Sequence, residues 1–377
     1  MKKPNDYSRY KPRPYNEICP ESTLKPSEIT RDAWLKDAFP EWGRFLNYEI
    51  DHYTVPKGEV SMWWVGGSSW VLKTDEGSIF LIDPYAGVSH STKYGECGVC
   101  YQSGAEFINW LKLTPQYLDP WAYERIDGYF ISHTHCDHCD PYAVAAAKQV
   151  SDTSFYGPKV VTEKLVGEFG VPKERVVTAS VGQVLSFPGA KVHILPNYDD
   201  TAIRTDTADA LLAYDDCCLS FLFETSGGNI LFAGDTWYND AYVEIGATYD
   251  IDVATFDMGY NAVGATDKMT PFDALRFGQA LRVKVLIPDH YDIWANIAGE
   301  PNLIIDQFER IVAEMDPGIR TVVMRGGGRF DYPADQDIKR YWYPDGSESY
   351  NFDKSAIRDA IAKRRPVLTD HKSKKKG

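Results

Sequence analysis

The sequence has no long apolar run. None of its 377 residues lies in an uninterrupted apolar stretch that approaches the roughly 18 residues needed to cross a bilayer. The first thirty residues also lack the apolar core of a secretory signal, which is roughly 7 to 15 residues long. We therefore expect a soluble, cytoplasmic protein with no membrane partner.

Positive charge is scarce in the body of the chain. The 40 Lys and Arg residues are outnumbered by 54 Asp and Glu residues, which gives a net charge of −14. Basic residues gather at the two ends, in MKKPNDYSRYKPRP and KRRPVLTDHKSKKKG. Because nucleic-acid affinity depends on clustered Lys and Arg, this distribution predicts no nucleic-acid partner. We interpret both ends as solvated tails.

Cysteine is also sparse, with seven residues in the chain. This odd number fits a reducing compartment better than a disulfide framework. Cys97 and Cys100, like Cys136 and Cys139, have the spacing of a structural zinc site or a redox pair, although the 35 residues between the two pairs exceed the usual zinc spacing. We favour cysteines that adjoin a metal pocket, and the other two interpretations stay open.

The patterning divides the chain into a central domain and two ends. Residues 1–26 are rich in proline and lack periodicity, which predicts an extended N-terminal arm. Residues 27–345 carry the apolar patterning of one globular domain. Residues 346–377 predict a C-terminal helix and basic tail.

Strand and helix patterns alternate along the central domain. Predicted strands lie within residues 61–74, 75–84, 126–132, 219–225, 227–235, 252–259 and 283–290, and predicted helices within residues 30–50, 141–150 and 270–282. In each half of the chain, strands precede helices. This order favours an α/β fold in four layers, αββα, with two sheets between outer helices.

One short segment concentrates side chains that bind metal ions. The eight positions from His133 to Asp140 hold three His, two Asp and two Cys residues, although the chain has only eight His. The segment follows a predicted buried strand and precedes a helix whose start is marked by Asp140 and Pro141. Such loops are where sites collect in α/β folds. Because imidazole and carboxylate bind zinc, manganese and iron, we predict a metal site here.

The spacing of these ligands divides them between two ions. Alternate residues of an extended turn point the same way, so His133 and His135 are predicted to share one ion. Asp137 and His138 follow along the same turn, beyond His135, and are assigned to a second ion. The segment therefore predicts a dinuclear centre that needs further ligands from distant strands.

Three residues at predicted strand ends complete the ligand set. Asp235 follows ILFAG and is predicted to bridge the ions, and His290 follows VLIPD and is assigned to the second ion. Asp199, beyond the strand KVHILP, is assigned to the first ion. His193 alternates with apolar residues inside that strand, and we interpret it as a packed strand residue rather than a ligand.

This pattern resembles the metallo-β-lactamase superfamily. His-x-His-x-Asp-His, then Gly-Asp, then a late His is the ligand order of that family, and Asp83 in FLIDP matches its early aspartate. The segments ITRDAWLKDAFPEWGRFLN, MWW, DKMT, RFGQAL and IPDHYDIW are similar to those of its L-ascorbate-6-phosphate lactonase group. The resemblance runs from about Ile29 to about Pro333.

The resemblance implies a four-layer αββα metallo-β-lactamase-like sandwich, two divalent metal ions (manganese or zinc), a cytoplasmic location and a homo-oligomer. It carries over as metal ligands His133, His135, Asp137, His138, Asp235 and His290. Asp199 falls where most members of the superfamily have a third histidine. An oxygen ligand there favours manganese over zinc.

The resemblance is incomplete at positions that would bind a phosphate. Asp200 and residues 263–266 replace arginine-containing positions of the lactonases, and Tyr291 replaces a histidine. A phosphorylated substrate needs cationic or amide donors. Arg204, Lys268 and Tyr291 are the candidate substrate-binding residues, and whether the substrate carries a phosphate stays open.

The ligand set predicts hydrolysis of a small-molecule lactone, such as that of a sugar acid, by a metal-bound hydroxide. Asp137 and Asp235 are predicted to orient the water, and His290, or a water near it, to help protonate the leaving alkoxide. Two alternatives stay open. The same ions suit a small cyclic phosphodiester, and a non-catalytic sensor of sugar phosphates would also retain the site.

Overall fold

The computed structural model describes most of the central domain. The described residues are 29–31, 43–87, 91–92, 95–96, 114–206, 213–259, 267–291 and 301–338. The predicted N-terminal arm and the predicted C-terminal helix and tail lie outside them, as does much of the helix predicted over residues 30–50.

The first sheet has seven strands in the order β16-β1-β2-β3-β6-β7-β8. Its strands are β1 (Val60–Trp64), β2 (Trp70–Thr74), β3 (Ile79–Ile82), β6 (Gly128–Phe130), β7 (Phe155–Gly157), β8 (Val176–Thr178) and β16 (Arg329–Tyr332). The strands β1, β2 and β3 form an antiparallel meander, and β3, β6, β7 and β8 are parallel. A separate two-stranded sheet pairs β4 (Ser91–Thr92) with β5 (Gly95–Glu96).

The second sheet also has seven strands, in the order β15-β14-β13-β12-β11-β10-β9. Its strands are β9 (Val184–Phe187), β10 (Ala190–Pro196), β11 (Leu219–Thr225), β12 (Asn229–Phe232), β13 (Val253–Asp257), β14 (Val285–Asp289) and β15 (Arg320–Thr321). From β9 to β12 the pairing is antiparallel, and from β12 to β15 it is parallel.

The described helices connect these strands. They are α1 (Gly43–His52), α2 (Pro141–Val150), α3 (Lys159–Gly167), α4 (Asp200–Asp206), α5 (Tyr214–Cys217), α6 (Tyr242–Thr248), α7 (Pro271–Leu281) and α8 (Pro301–Met315). The helix start predicted from the sequence at Asp140 and Pro141 is confirmed. Asp140 caps α2, and Thr270 forms a capping box with Asp273 at the start of α7. Among the described helices, none is long and apolar enough to cross a membrane.

Alternation along the strands produces three layers of buried side chains. In β1, Met62 and Trp64 face the second sheet, whereas Trp63 packs with the helices α1 to α3. In β12, Phe232 faces the first sheet and Leu231 packs with the helices α6 to α8. Because successive residues of a strand point to opposite faces, each sheet is covered on both sides. The predicted four-layer αββα architecture is confirmed.

Candidate metal centre and active site

The predicted ligands lie at one edge of the two sheets. The strands β12, β13 and β14 are parallel, so their carboxyl ends meet and bring Asp235 and His290 together. The strand β10 runs in the same direction, because it and β12 are both antiparallel to β11, and it leads to Asp199. In the first sheet, the parallel strands β3 and β6 lead to Asp83 and His133. All five side chains are buried.

The histidine-rich loop between β6 and α2 is a tight turn. The amides of His138 and Cys139 both donate to the carbonyl oxygen of His135, at 3.0 and 2.7 Å. Asp140 then accepts a backbone hydrogen bond at 2.6 Å in the first turn of α2. As a result the imidazole centroids of His133 and His138 lie 4.0 Å apart.

The first candidate ion-binding group consists of His133, His135 and Asp235, whose donor atoms all lie within 4.8 Å of one another. His133 Nε2 is 2.8 Å from His135 Nδ1. Asp199 adjoins this group, since its Oδ2 lies 3.6 Å from His133 Nε2. Its other oxygen, Oδ1, accepts two backbone amides at 2.8 and 2.9 Å, which holds Oδ2 toward the histidines.

The second candidate group consists of Asp137, His138 and His290. His290 Nε2 lies 3.1 Å from Asp137 Oδ2, and His138 Nε2 lies 3.8 Å from the same oxygen. Asp235 adjoins this group as well, because its Oδ1 is 3.2 Å from His138 Nε2 and 3.6 Å from His290 Nε2. Asp235 therefore belongs to the first group and also contacts the second, and its bridging role stays a prediction.

Asp83 orients one member of the second group, His138, through the ring nitrogen that faces away from Asp137 and His290. Its Oδ2 lies 2.9 Å from His138 Nδ1 and accepts from Ser132 Oγ at 2.5 Å. Its Oδ1 accepts from Ser132 N at 2.7 Å. A hydrogen bond from Nδ1–H to this carboxylate fixes the tautomer of His138 and leaves Nε2 as a lone-pair donor. This is the usual way in which a second layer of residues orients a histidine ligand.

Buried carboxylates dominate the charge at this edge. Burial raises the pKa of Asp199, and Asp267 and Asp235 add to the shift. Burial and then the charge of Asp235 raise the pKa of Asp257. Burial also raises the pKa of Asp289 to about 7, although hydrogen bonding opposes the shift.

Asp235 behaves in the opposite way. Burial would raise its pKa, but the interactions with His290, Lys268 and His138 outweigh burial and hold the pKa well below its usual range. Lys268 Nζ lies 3.4 Å from Asp235 Oδ2 and 3.6 Å from Asp257 Oδ2.

The residues present fit divalent metal ions. Within the described part of the chain, Asp199 Oδ2 and His138 Nε2 are buried and make no hydrogen bond. Leaving such atoms without a hydrogen-bonding partner costs about 1–3 kcal/mol each, and more for a charged group. A cation at each group would satisfy both atoms and offset the crowded negative charge. The donors are imidazole and carboxylate, which suit zinc and manganese.

The candidate substrate-binding residues have partners within the protein. Lys268 is buried against the carboxylates of Asp235 and Asp257. Tyr291 packs on Trp64 with ring centroids 5.5 Å apart, and its hydroxyl donates to a backbone carbonyl at 3.2 Å. The side chain of Arg204 lies outside the described residues. Their roles in binding substrate stay predictions.

His193 is not brought to the ion-binding groups. Its Nε2 lies 2.8 Å from Glu224 Oε2 on the neighbouring strand β11, and its ring packs against Tyr249 with centroids 5.4 Å apart. Our interpretation of His193 as a packed strand residue agrees with this placement.

The cysteines of the loop are described only in part. Cys136 is half-buried and Cys139 is buried, and burial raises the pKa of Cys139 to about 12. Cys97 and Cys100 lie outside the described residues, so a joint site of the four cysteines stays untested. Cys217 and Cys218 are buried together with Ala202.

Four supporting residues were not singled out from the sequence. Asp257 and Asp289 end the strands β13 and β14, and an aspartate directly after a run of apolar strand residues was an available signal. Ser68 and Ser132 had no such signal. Their importance comes from contacts with Asp235, Asp289 and Asp83, which only the folded chain brings near.

Comparison with known proteins shows the family of the chain. A family model described as "Beta-lactamase superfamily domain" matches residues 80–291. That range contains all the predicted metal ligands. The probable L-ascorbate-6-phosphate lactonase UlaG of Escherichia coli O127:H6 is 37% identical over 336 residues, which cover 85% of this chain and 95% of that protein.

Solved structures share the fold. Igni18, a metallo hydrolase from Ignicoccus hospitalis, superposes with a TM-score of 0.52 at 18% identity, covering 73% of this chain and 98% of that chain. A possible metal-dependent hydrolase from Veillonella parvula gives a TM-score of 0.55 at 15% identity, covering 73% and 99%. At these identities the likeness concerns the fold alone.

Proposed function

The chain belongs to the metallo-β-lactamase superfamily and is a metallo-hydrolase, and we propose that it opens the lactone ring of a small sugar acid. The observation that carries the proposal is the pair of ligand groups at one sheet edge, with Asp235 in contact with both. The similarity to a probable L-ascorbate-6-phosphate lactonase supports the choice of a lactone as substrate.

We assign the ions by these groups. His133, His135 and Asp199 would hold the first ion, and Asp137, His138 and His290 the second, with Asp235 between them. When bound, divalent ions of this kind acidify a coordinated water and polarise a carbonyl oxygen. We infer manganese or zinc, and the carboxylate of Asp199 in place of a third imidazole favours manganese.

The protein's own residues would position the reactants. Asp137 and Asp235 would orient the attacking water, whose oxygen forms the new bond to the lactone carbonyl carbon. The ring C–O bond breaks, and the departing alkoxide takes a proton from His290 or from a water beside it. The products are a carboxylate and a hydroxyl on one open chain, with one proton released to solvent, so water is the only co-substrate.

A phosphate on the substrate would need donors beyond those described. Lys268 is engaged by two buried carboxylates, which leaves Arg204, Arg325 and Arg329 as the candidate cations from the sequence. We therefore propose a sugar-acid lactone as the substrate class and treat the phosphate as the variable that an assay should resolve. The cytoplasmic location and the homo-oligomer stay predictions.

A substrate panel tests the function. Protein stripped with a chelator and reloaded with manganese or zinc would be assayed with L-ascorbate-6-phosphate, unphosphorylated sugar lactones and small cyclic phosphodiesters, with acid release or product formation as the readout. We expect lactone hydrolysis that is abolished by stripping and restored by metal. Turnover of cyclic phosphodiesters alone would favour the phosphodiesterase, and tight binding of sugar phosphates without any turnover would favour the sensor.

A further inference from the structure

The turn between β1 and β2, residues 65–69, contacts two predicted metal ligands, Asp235 and His290. Gly66 and Gly67 have positive φ angles of 95° and 60°, which favour glycine. The amide of Ser69 donates to Gly66 O at 3.0 Å and closes the turn. On either side, Trp64 and Trp70 are paired across the strands with stacked rings 6.2 Å apart.

The turn contacts two carboxylates of the second sheet. Ser68 Oγ lies 3.3 Å from Asp235 Oδ1 and 3.2 Å from Asp289 Oδ1. Trp70 Nε1 donates to the other oxygen of Asp289 at 2.8 Å. Asp235 Oδ1 is the oxygen that faces His138, so the hydroxyl of Ser68 holds the atom that approaches the second ion-binding group.

The same turn holds two backbone positions in an unfavourable conformation. Asp83 and His290 have φ angles of 46° and 62°, in the left-handed region that costs a non-glycine residue about 1–3 kcal/mol. Ser69 Oγ donates to the carbonyl oxygen of Asp83 at 2.6 Å. The amide of His290 donates to Gly67 O at 3.2 Å. Surrounding contacts must maintain such conformations, and this turn supplies one to each residue.

We propose that the β1–β2 turn is a positioning element that preorganises the metal centre, with Ser68 as its principal side chain. It ties Asp235 and His290 of the second sheet to Asp83 of the first sheet. The inference rests on the metal binding in the proposed function and extends it to residues that touch neither metal nor substrate. Removing a hydrogen bond in such a supporting layer lowers metal affinity by about 10- to 100-fold in other metalloproteins.

A matched pair of substitutions tests this inference. Ser68→Ala removes the hydroxyl that contacts Asp235 and Asp289. Ser78→Ala is the control. Ser78 lies in the turn that follows β2, whereas Ser68 lies in the turn that precedes it, and both residues are buried. Among the described residues, Ser78 Oγ has no hydrogen-bond partner. Manganese affinity would be measured for both ions by competition with a chelating dye, and thermal unfolding would be measured on the metal-free proteins.

We expect S68A to weaken one of the two binding events by about 10-fold or more and to leave the other within about 2-fold. Because Ser68 Oγ has hydrogen-bond partners and Ser78 Oγ has none, the metal-free unfolding temperature of S68A should fall by a few degrees more than that of S78A. If both events in S68A match wild type, or if both weaken to the same extent, the inference is overturned. Wild-type protein that binds no divalent ion would instead overturn the proposed function beneath it.

Discussion

Replacing Lys268 with methionine tests whether the buried carboxylates are arranged for cations. Lys268 is 5% exposed, and its ammonium lies 3.4 Å from Asp235 and 3.6 Å from Asp257. Methionine preserves much of the apolar length of lysine and removes the charge. The metal-free variant would therefore contain two buried carboxylates that have lost their shared cation.

The expected loss of stability is large. At an effective dielectric constant of about 20, Coulomb's law gives about 5 kcal/mol for each of these contacts. Lysine desolvation offsets part of this attraction, and breaking one side of a buried pair typically costs about 3–5 kcal/mol. We expect metal-free Lys268→Met to lose about 3–5 kcal/mol of unfolding free energy, or on the order of 10 °C in unfolding temperature.

The affinity for divalent metal ions should rise in Lys268→Met. A site that loses a positive charge attracts a divalent cation more strongly, and a ligand that binds only the folded state stabilises it by an amount that grows with the logarithm of its affinity. The metal-loaded variant should therefore lose less stability than the metal-free variant. Calorimetry with and without manganese, together with chelator competition, measures both effects.

The matched control is Lys191→Met, which removes an exposed ion pair between Lys191 and Glu224 at 3.0 Å. Exposed pairs contribute less than about 1 kcal/mol, so this variant should resemble wild type with and without metal. Metal-free K268M as stable as wild type, or K268M with weakened manganese binding, would refute the reasoning about charge.

Three further predictions concern single residues. Asp83→Asn should weaken one manganese-binding event by about 10- to 100-fold, because an amide oxygen is a weaker acceptor for His138 Nδ1–H; unchanged affinity in chelator competition would contradict the orienting role. His193→Ala should retain two bound ions and full hydrolysis, because His193 bonds Glu224 away from the site; loss of an ion in elemental analysis would show that it is a ligand. Cys139 should resist alkylation in folded protein at pH 8, because burial raises its pKa to about 12; rapid modification, located by peptide mass spectrometry, would show that the thiol is accessible.

The sequence predicted the parts of the site that depend on local patterns. The histidine-rich loop was recognised by its ligand spacing, and the capping of α2 by Asp140 was visible from Asp140 and Pro141. Asp235 and His290 were predicted from their positions after apolar strands, because the carboxyl ends of parallel strands share an edge. The four-layer fold followed from the order of strands and helices.

The supporting layer could not be predicted in the same way. Ser68 and Asp235 are separated by 167 residues along the chain, and a serine in a glycine-rich turn carries no local signal of such a contact. The positive φ angles of Asp83 and His290 depend on contacts with the β1–β2 turn. The apolar pattern of a single strand does not encode such contacts. The placement of Lys268 against buried carboxylates likewise emerges only from tertiary packing.

Metal content per chain tests the central claim most directly. Purified protein would be dialysed against manganese or zinc, freed of loosely bound ions and analysed for metal alongside His133→Ala and His290→Ala. We predict two ions per wild-type chain and one fewer in each variant, because the two histidines belong to different ligand groups. Wild-type protein with one ion or none, or variants that retain two ions, would contradict a dinuclear centre at this sheet edge.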